Sequence, residues 1–256
     1  MLTTETRTTG REPLEIGFDE ALRKNSFSLV YQPIVSIGEG RILGVEVLTR
    51  LTLHGEVVDP DVFIVRAEET GAIDSLTSWV IRRVGEDLDR VGLPPFWAIH
   101  VNVSPVQIMH SEGRFQLEQD IASFLCLHPR GLVLEVTENR FRIPKNAFGD
   151  LRKWMKDLDQ TADIHWYLDD FGRGENFDAL SLPIRGIKID RDHSTHGSLL
   201  PLRTTESIAR NFGFHCVAEG IETKEDLLRV RRAGITRFQG YLAWKPLPIE
   251  ALRNLK

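Results

Sequence analysis

Apolar positions along this chain switch repeatedly between a spacing of two and a spacing of three to four. The stretches FSLVYQPIV and RILGVEVLTRL flank SIGEG, which predicts two strands joined by a glycine-bearing turn. Ahead of them, Phe18, Ala21 and Leu22 mark one face of a short helix. Asp59-Pro60 offers an N-cap and a first-turn proline for a helix through Ala67. Asp74 is read as the cap of another, with Leu76, Val80, Ile81 and Val84 on one face. The rhythm then repeats. Strand WAIHVNVS leads through Ser104-Pro105 into a helix reaching Phe124, and strand LVLEVTE leads into one around Phe148 to Leu158. Strand IHWYLDD, a loop and strand GIKID follow, then a helix around Thr204 to Asn211 and strand FHCVAEG. Thr223 caps KEDLLRVRRA, Gly234 ends it, and strand RFQGYL precedes a last helix from Pro248.

Eight strand-like runs with helices between them predict an α/β fold, a modified TIM (β/α)8 barrel. The modification is the opening hairpin. Strands joined by so tight a turn must be antiparallel, so one strand runs against the rest. The polar opening MLTTETRTTGREP is read as a disordered tail over residues 1–14, or in part an artificial extension, and residues 15–256 as a single barrel domain.

Composition removes several functional classes. A net charge of −5 over 256 residues provides no basic field for DNA. Cys126 and Cys216 lie far apart, without the spacing of a disulfide framework or a zinc knuckle. Cys216 is read as a small core residue and a reducing cytoplasm as the setting. No apolar run approaches the ~20 residues of a membrane helix. Arg229, Arg231 and Arg232 read as a solvated helix face, and His193 and His196 as loop residues without the partners of a zinc site.

The chemistry gathers at the downstream ends of the strands. The second strand is expected to end near Glu46. The third carries Asn102, the fourth Glu135 with Glu138 beyond it, and the fifth Asp169-Asp170. The sixth carries Lys188, the seventh Glu219 and the eighth Gln239. In a barrel these ends converge on one face. Carboxylates crowded there repel one another and are costly to desolvate, and divalent cations resolve both problems. All-oxygen ligands with one amide carbonyl suit Mg²⁺ or Mn²⁺. So many carboxylates suggest two ions about 3.5–4 Å apart, the arrangement used to displace at phosphorus. Asp169 and Asp170 are neighbours and would point apart in a strand. The strand is expected to stop there, so that the following turn lets both reach the ions.

The motifs YQPIVSI, GVEVLTR, VNVS, LEVTE, LDDFGRG, IKIDR, VAEGIET and FQGYLAWKPLP occur in this order between Ile16 and Leu252. Together they make the chain resemble the EAL-domain cyclic di-GMP phosphodiesterases. The resemblance implies hydrolysis of cyclic di-GMP to linear pGpG with two Mg²⁺ or Mn²⁺ ions. It implies Glu46, Asn102, Glu135 and Asp169 as ligands of one ion, with Asp169, Asp170 and Glu219 reaching the second. Lys188 resembles the lysine near the attacking water, Glu219 the proposed base or further ligand, and Glu138 the brace of the loop after Asp170. Gln32, Leu48, Arg50 and Gln239 resemble substrate contacts, and homodimerisation stays open.

The chain departs from the pattern at Val47 in the signature triplet, at Arg173 and at Asp192-His193, and ENFDALSLP is shorter than usual. The later changes lie on the loop serving the second ion, which is expected to bind more weakly than the first. With every ligand position filled, the expectation is an active enzyme. The alternative is a catalytically silent module that binds cyclic di-GMP or a protein partner.

Overall fold

A computed structural model describes residues 17–137, 143–144, 146–162, 164–172 and 177–255. The tail predicted over 1–14, together with Glu138 and Arg173, lies outside the described residues. The sheet is built from β1 (Phe27–Ser36), β2 (Ile42–Leu53), β3 (Glu56–Val58), β4 (Ala98–Asn102), β5 (Leu132–Thr137), β6 (Ile164–Phe171), β7 (Ile184–Ile189), β8 (His215–Ala218) and β9 (Arg237–Phe238). From β2 through β4 to β9 the neighbours are parallel. β1 pairs antiparallel with β2 on one side and β9 on the other, which closes an eight-stranded barrel with one reversed strand.

Helices cover the outside: α1 (Phe18–Arg23), α2 (Pro60–Thr70), α3 (Ile73–Val91), α4 (Pro105–Met109), α5 (Ser111–Leu127), α6 (Phe148–Ala162), α7 (Arg191–Thr195), α8 (Leu200–Phe212), α9 (Lys224–Arg232) and α10 (Ile249–Leu252). The main core lies between this ring and the sheet, with Ile99, Leu134, Trp166 and Ile187 buried on the strands and Ile121, Leu151 and Leu202 on the helices. On β1 the outward Tyr31 donates to Asp87 of α3 at 2.7 Å, satisfying two polar groups inside that layer.

Several boundaries differ from the sequence reading. β2 does not end near Glu46 but runs on to Leu53, because its far half turns back on β3 as a hairpin outside the barrel. Asp74 is in the first turn of α3, whose N-cap is Ala72. The helix expected from Pro105 to Phe124 is two helices. At His110 the backbone is extended and its imidazole accepts from Gly113 N at 3.0 Å, starting α5 afresh. His193 belongs to the short α7 and not to a loop. Only Arg237 and Phe238 of the RFQGYL run are in strand, so Gln239 follows the last strand.

The barrel interior obeys the two-residue period. Its plug contains Ile34, Val133, Tyr167 and Val217, with Ala98 packed against it. Two residues further along the parallel strands stand His100, Glu135, Asp169 and Glu219. On the reversed β1 the order inverts, so Gln32 precedes Ile34. Gly186 makes space for the plug: a Cβ there would sit 2.4 Å from the Tyr167 ring.

Candidate active site

Lys188 of β7 is wholly buried at the centre of the upper layer. Its Nζ lies 3.1 Å from Glu46 Oε2, 2.9 Å from Glu135 Oε2, 3.2 Å from Asp169 Oδ1 and 2.8 Å from Glu219 Oε1. An ammonium has three N–H groups, so four carboxylates cannot all be served. Asp169 Oδ1 is buried without a hydrogen bond.

Glu46, in mid-strand, is the most heavily supported of the four. Asn102 Nδ2 donates to its Oε1 at 2.9 Å, and Gln239 Nε2 to its Oε2 at 2.6 Å. The same Gln239 amide donates to Gln32 Oε1 at 3.0 Å, and Gln32 donates to Trp244 O at 3.1 Å. Gln32 and Gln239 are thus buried and tied to the carboxylate layer. Leu48 stands at the rim, and Arg50, half-buried beside it, donates to Thr49 O at 2.9 Å.

His100 was missed by the sequence reading. Its Nδ1 is 2.7 Å from Glu135 Oε1, so both oxygens of Glu135 are engaged, one by His100 and one by Lys188. The signal was present: His100 precedes Asn102 by two residues and so shares its face.

Asp169 and Asp170 come together by a different route from the one expected. β6 continues to Phe171, but its pairing with β7 slips between Leu168 and Phe171, and Asp170 has φ +54°. A left-handed residue inside a strand breaks the alternation of faces. Ligand atoms of Asp169, Asp170 and Glu219 consequently fall within 4.8 Å of one another, as do those of Glu46, Glu135 and Asp169. Asp169 belongs to both groups.

The electrostatics follow from one cation among too many anions. Burial would raise Glu46, but Lys188, Asn102 and Gln239 outweigh it and hold its carboxyl below the ordinary value. Burial, against the pull of Lys188, leaves Glu135 and Glu219 well above theirs and Asp169 above its own. Lys188 is held charged far into the alkaline range, its four carboxylates overcoming burial. Burial and Lys188 push His100 down to about 3, so its ring is neutral. A centre with surplus carboxylates, an unserved buried oxygen and only oxygen donors fits hard divalent cations.

Two cavities open onto this layer. One of about 340 Å³ is lined by Glu46, Asp169, Asp170, Glu219, Arg191 and Tyr241 among others. The other, about 550 Å³, includes Arg50, Glu68, Asn102, Ser104 and Asp170. Leu48, Arg50, Asn102 and Asp170 stand where the cavities adjoin or along their walls.

Fold and site together define a TIM-type barrel with one reversed strand and an acidic, cation-seeking mouth. The chain belongs to the EAL domain family, whose model matches residues 17–246. It is 34% identical over 241 residues to "Probable cyclic di-GMP phosphodiesterase PdeB" of Escherichia coli, covering 90% of this chain and 45% of that protein. It is 30% identical over 261 residues to "Cyclic di-GMP phosphodiesterase NbdA" of Pseudomonas aeruginosa, covering 97% and 32%. The chain therefore spans less than half of either relative. Among solved structures, "PaMucR Phosphodiesterase, c-di-GMP complex" superposes with a TM-score of 0.79 at 29% identity, covering 91% of this chain and 97% of that one. Among the described residues no helix is long and apolar enough to cross a membrane.

Proposed function

We propose that this chain is a divalent-metal-dependent phosphodiesterase that opens cyclic di-GMP to linear pGpG. The observation that carries the reading is the Lys188-centred carboxylate layer at the junction of two cavities, in a chain whose relatives are named for that reaction. Glu46, Asn102, Glu135 and Asp169 would hold one ion, and Asp169, Asp170 and Glu219 the second. Bound Mg²⁺ or Mn²⁺ would supply Lewis acidity toward the phosphate and lower the pKa of the attacking water.

The chain's own groups do the rest. Lys188 keeps its proton and fixes the spacing of the carboxylates around it. His100 and the Gln32–Gln239 pair hold Glu135 and Glu46 at their rotamers, so these ligands need little reorganisation. Glu219 borders the smaller cavity and takes the proton of the attacking water. Water adds at phosphorus, the P–O3′ bond breaks, and the leaving 3′-oxygen takes a proton from solvent while Glu219 gives the proton it accepted back to solvent. The fork of Arg50 suits a phosphate oxygen, and Gln32, Leu48 and Gln239 line or brace the substrate side of the mouth. Glu138, the expected loop brace, keeps that role as a proposal.

The test is incubation with cyclic di-GMP and Mg²⁺ or Mn²⁺, with the product separated by chromatography. The expected product is pGpG, reduced at least about a hundredfold in Glu46→Ala. Tight binding of the dinucleotide without pGpG in either metal would instead identify a silent binding module.

A further inference from the structure

The acidic mouth needs Asp170 in a left-handed conformation, and something must hold the turn that follows it. Gly172, two residues on, has φ +105°. Directly against it lies the imidazole of His193: Nε2 donates to Gly172 O at 3.0 Å. The fit is close, because a Cβ on Gly172 would meet His193 Cδ2 at 2.5 Å.

His193 is itself well anchored. It sits in α7, which starts directly after β7, the strand carrying Lys188. Asp190 caps α7 by accepting from Asp192 N at 2.9 Å. Arg229 of α9 closes the other end. Its guanidinium donates to the carbonyls of Ser194 at 3.2 Å, His196 at 2.6 Å, Gly197 at 2.8 Å and Ser198 at 2.7 Å. Four backbone acceptors on one planar fork leave α7 little freedom. The basic run on α9, read from sequence as a solvated face, thus contains one structural residue.

We propose that His193 is a positioning residue for the second cation: its hydrogen bond to Gly172 O holds the turn that keeps Asp170 facing Asp169 and Glu219. The inference rests on the phosphodiesterase reading of the site. The hydrogen bond described for His193 reaches Gly172 and not a ligand side chain, so the first cation group of Glu46, Glu135 and Asp169 is expected to depend on it far less than the group that contains Asp170.

The experiment measures Mn²⁺ binding by the electron paramagnetic resonance of the free ion, in the absence of dinucleotide, beside metal titrations of pGpG formation. Parent, His193→Ala, His193→Phe and His193→Gln are compared, with thermal unfolding to verify that each is folded. In parent the binding curve should show a tight and a weaker class. Loss of an outer-shell hydrogen bond weakens metal binding by roughly 10–100-fold, so His193→Ala and His193→Phe should shift the weaker class by about tenfold or more and leave the tight class in place. His193→Gln, which keeps a donor, should recover part of the shift. Metal titrations of activity should move in parallel, with the rate at saturating metal changed far less. Superimposable Mn²⁺ curves for parent and His193→Ala overturn this inference alone. A parent that binds no Mn²⁺ removes the phosphodiesterase reading and the inference together.

Discussion

Asp170 occupies a backbone region that costs a side-chain-bearing residue of this kind roughly 1–2 kcal/mol. Its φ of +54° converts two adjacent carboxylates, which would otherwise face opposite sides of the sheet, into neighbours. Two substitutions separate the backbone strain from the proposed ligand role. Asp170→Gly relieves the backbone and Asp170→Ala does not, while both delete the carboxylate. In urea unfolding the glycine variant should be the more stable of the two by about 1 kcal/mol. Both should lose pGpG formation at any practical metal concentration. Equal stabilities would show that the left-handed turn stores no strain. An active glycine variant would remove Asp170 from the ligand set. The sequence placed this pair correctly at the mouth but not the means. Nothing in LDDFG distinguishes a strand that stops from one that bulges, since aspartate is tolerated in both conformations.

At the level of elements, alternation carries most of what was legible. A strand has one inward face, so one polar residue on it fixes which others share that face. The candidate ligands and Lys188 were read from the downstream ends of the strands, and alternation fits Glu46, Glu135, Asp169 and Lys188 to one face; the reversed first strand followed from the tightness of its turn. What escaped depended on contacts between distant segments. The β3 hairpin forms because β2 outruns the barrel, the helix break at His110 because a side chain caps a backbone amide, and the Arg229 clamp because a loop folds back beneath α9. The plug below the site shows how the inner face is packed. Gly186→Ala would drive a methyl to 2.4 Å from the Tyr167 ring, and both are held by the closed barrel. Overpacking of this kind costs about 1–3 kcal/mol. Gly149, in the first turn of α6, has open space around its Cβ position, and Gly149→Ala should be neutral or stabilising by up to about 1 kcal/mol. Urea midpoints of the two variants check the contrast. If Gly186→Ala unfolds no earlier than Gly149→Ala, the interior is not packed as described.

For the whole molecule, the surplus of buried carboxylates links stability to pH and to metal. Glu135, Glu219 and Asp169 have folded pKa values above their ordinary 4.5, 4.5 and 3.8. The folded state therefore binds more protons than the unfolded chain over the interval above those values. Stability rises with pH only where the unfolded state binds more protons, so these three groups make it fall as pH rises. His100, lowered to about 3 from 6.5, and His215, lowered to about 4 from 6.5, have the opposite sign, and in the unfolded chain they go on titrating to about one unit above 6.5. Glu46, lowered from 4.5, acts in the same direction as the histidines and is complete lower still. Cys216, raised to about 12 from 9.0, and Tyr167, raised to about 12 from 10.0, come into play chiefly above pH 8. The raised carboxylates therefore oppose the histidines, and the share of one of them is read from the difference between the parent and a variant that lacks it. In EDTA the melting temperature of the parent should gain less, or lose more, on going from pH 5 to 8 than that of Glu219→Gln, which removes one of the raised groups. Mg²⁺ binds the deprotonated site, so it should raise the melting temperature more at pH 8 than at pH 6.5. Thermal unfolding at several pH values, with and without Mg²⁺, makes the comparison. Parallel metal-free profiles for parent and Glu219→Gln from pH 5 to 8 would mean that protons do not stand in for cations in this barrel.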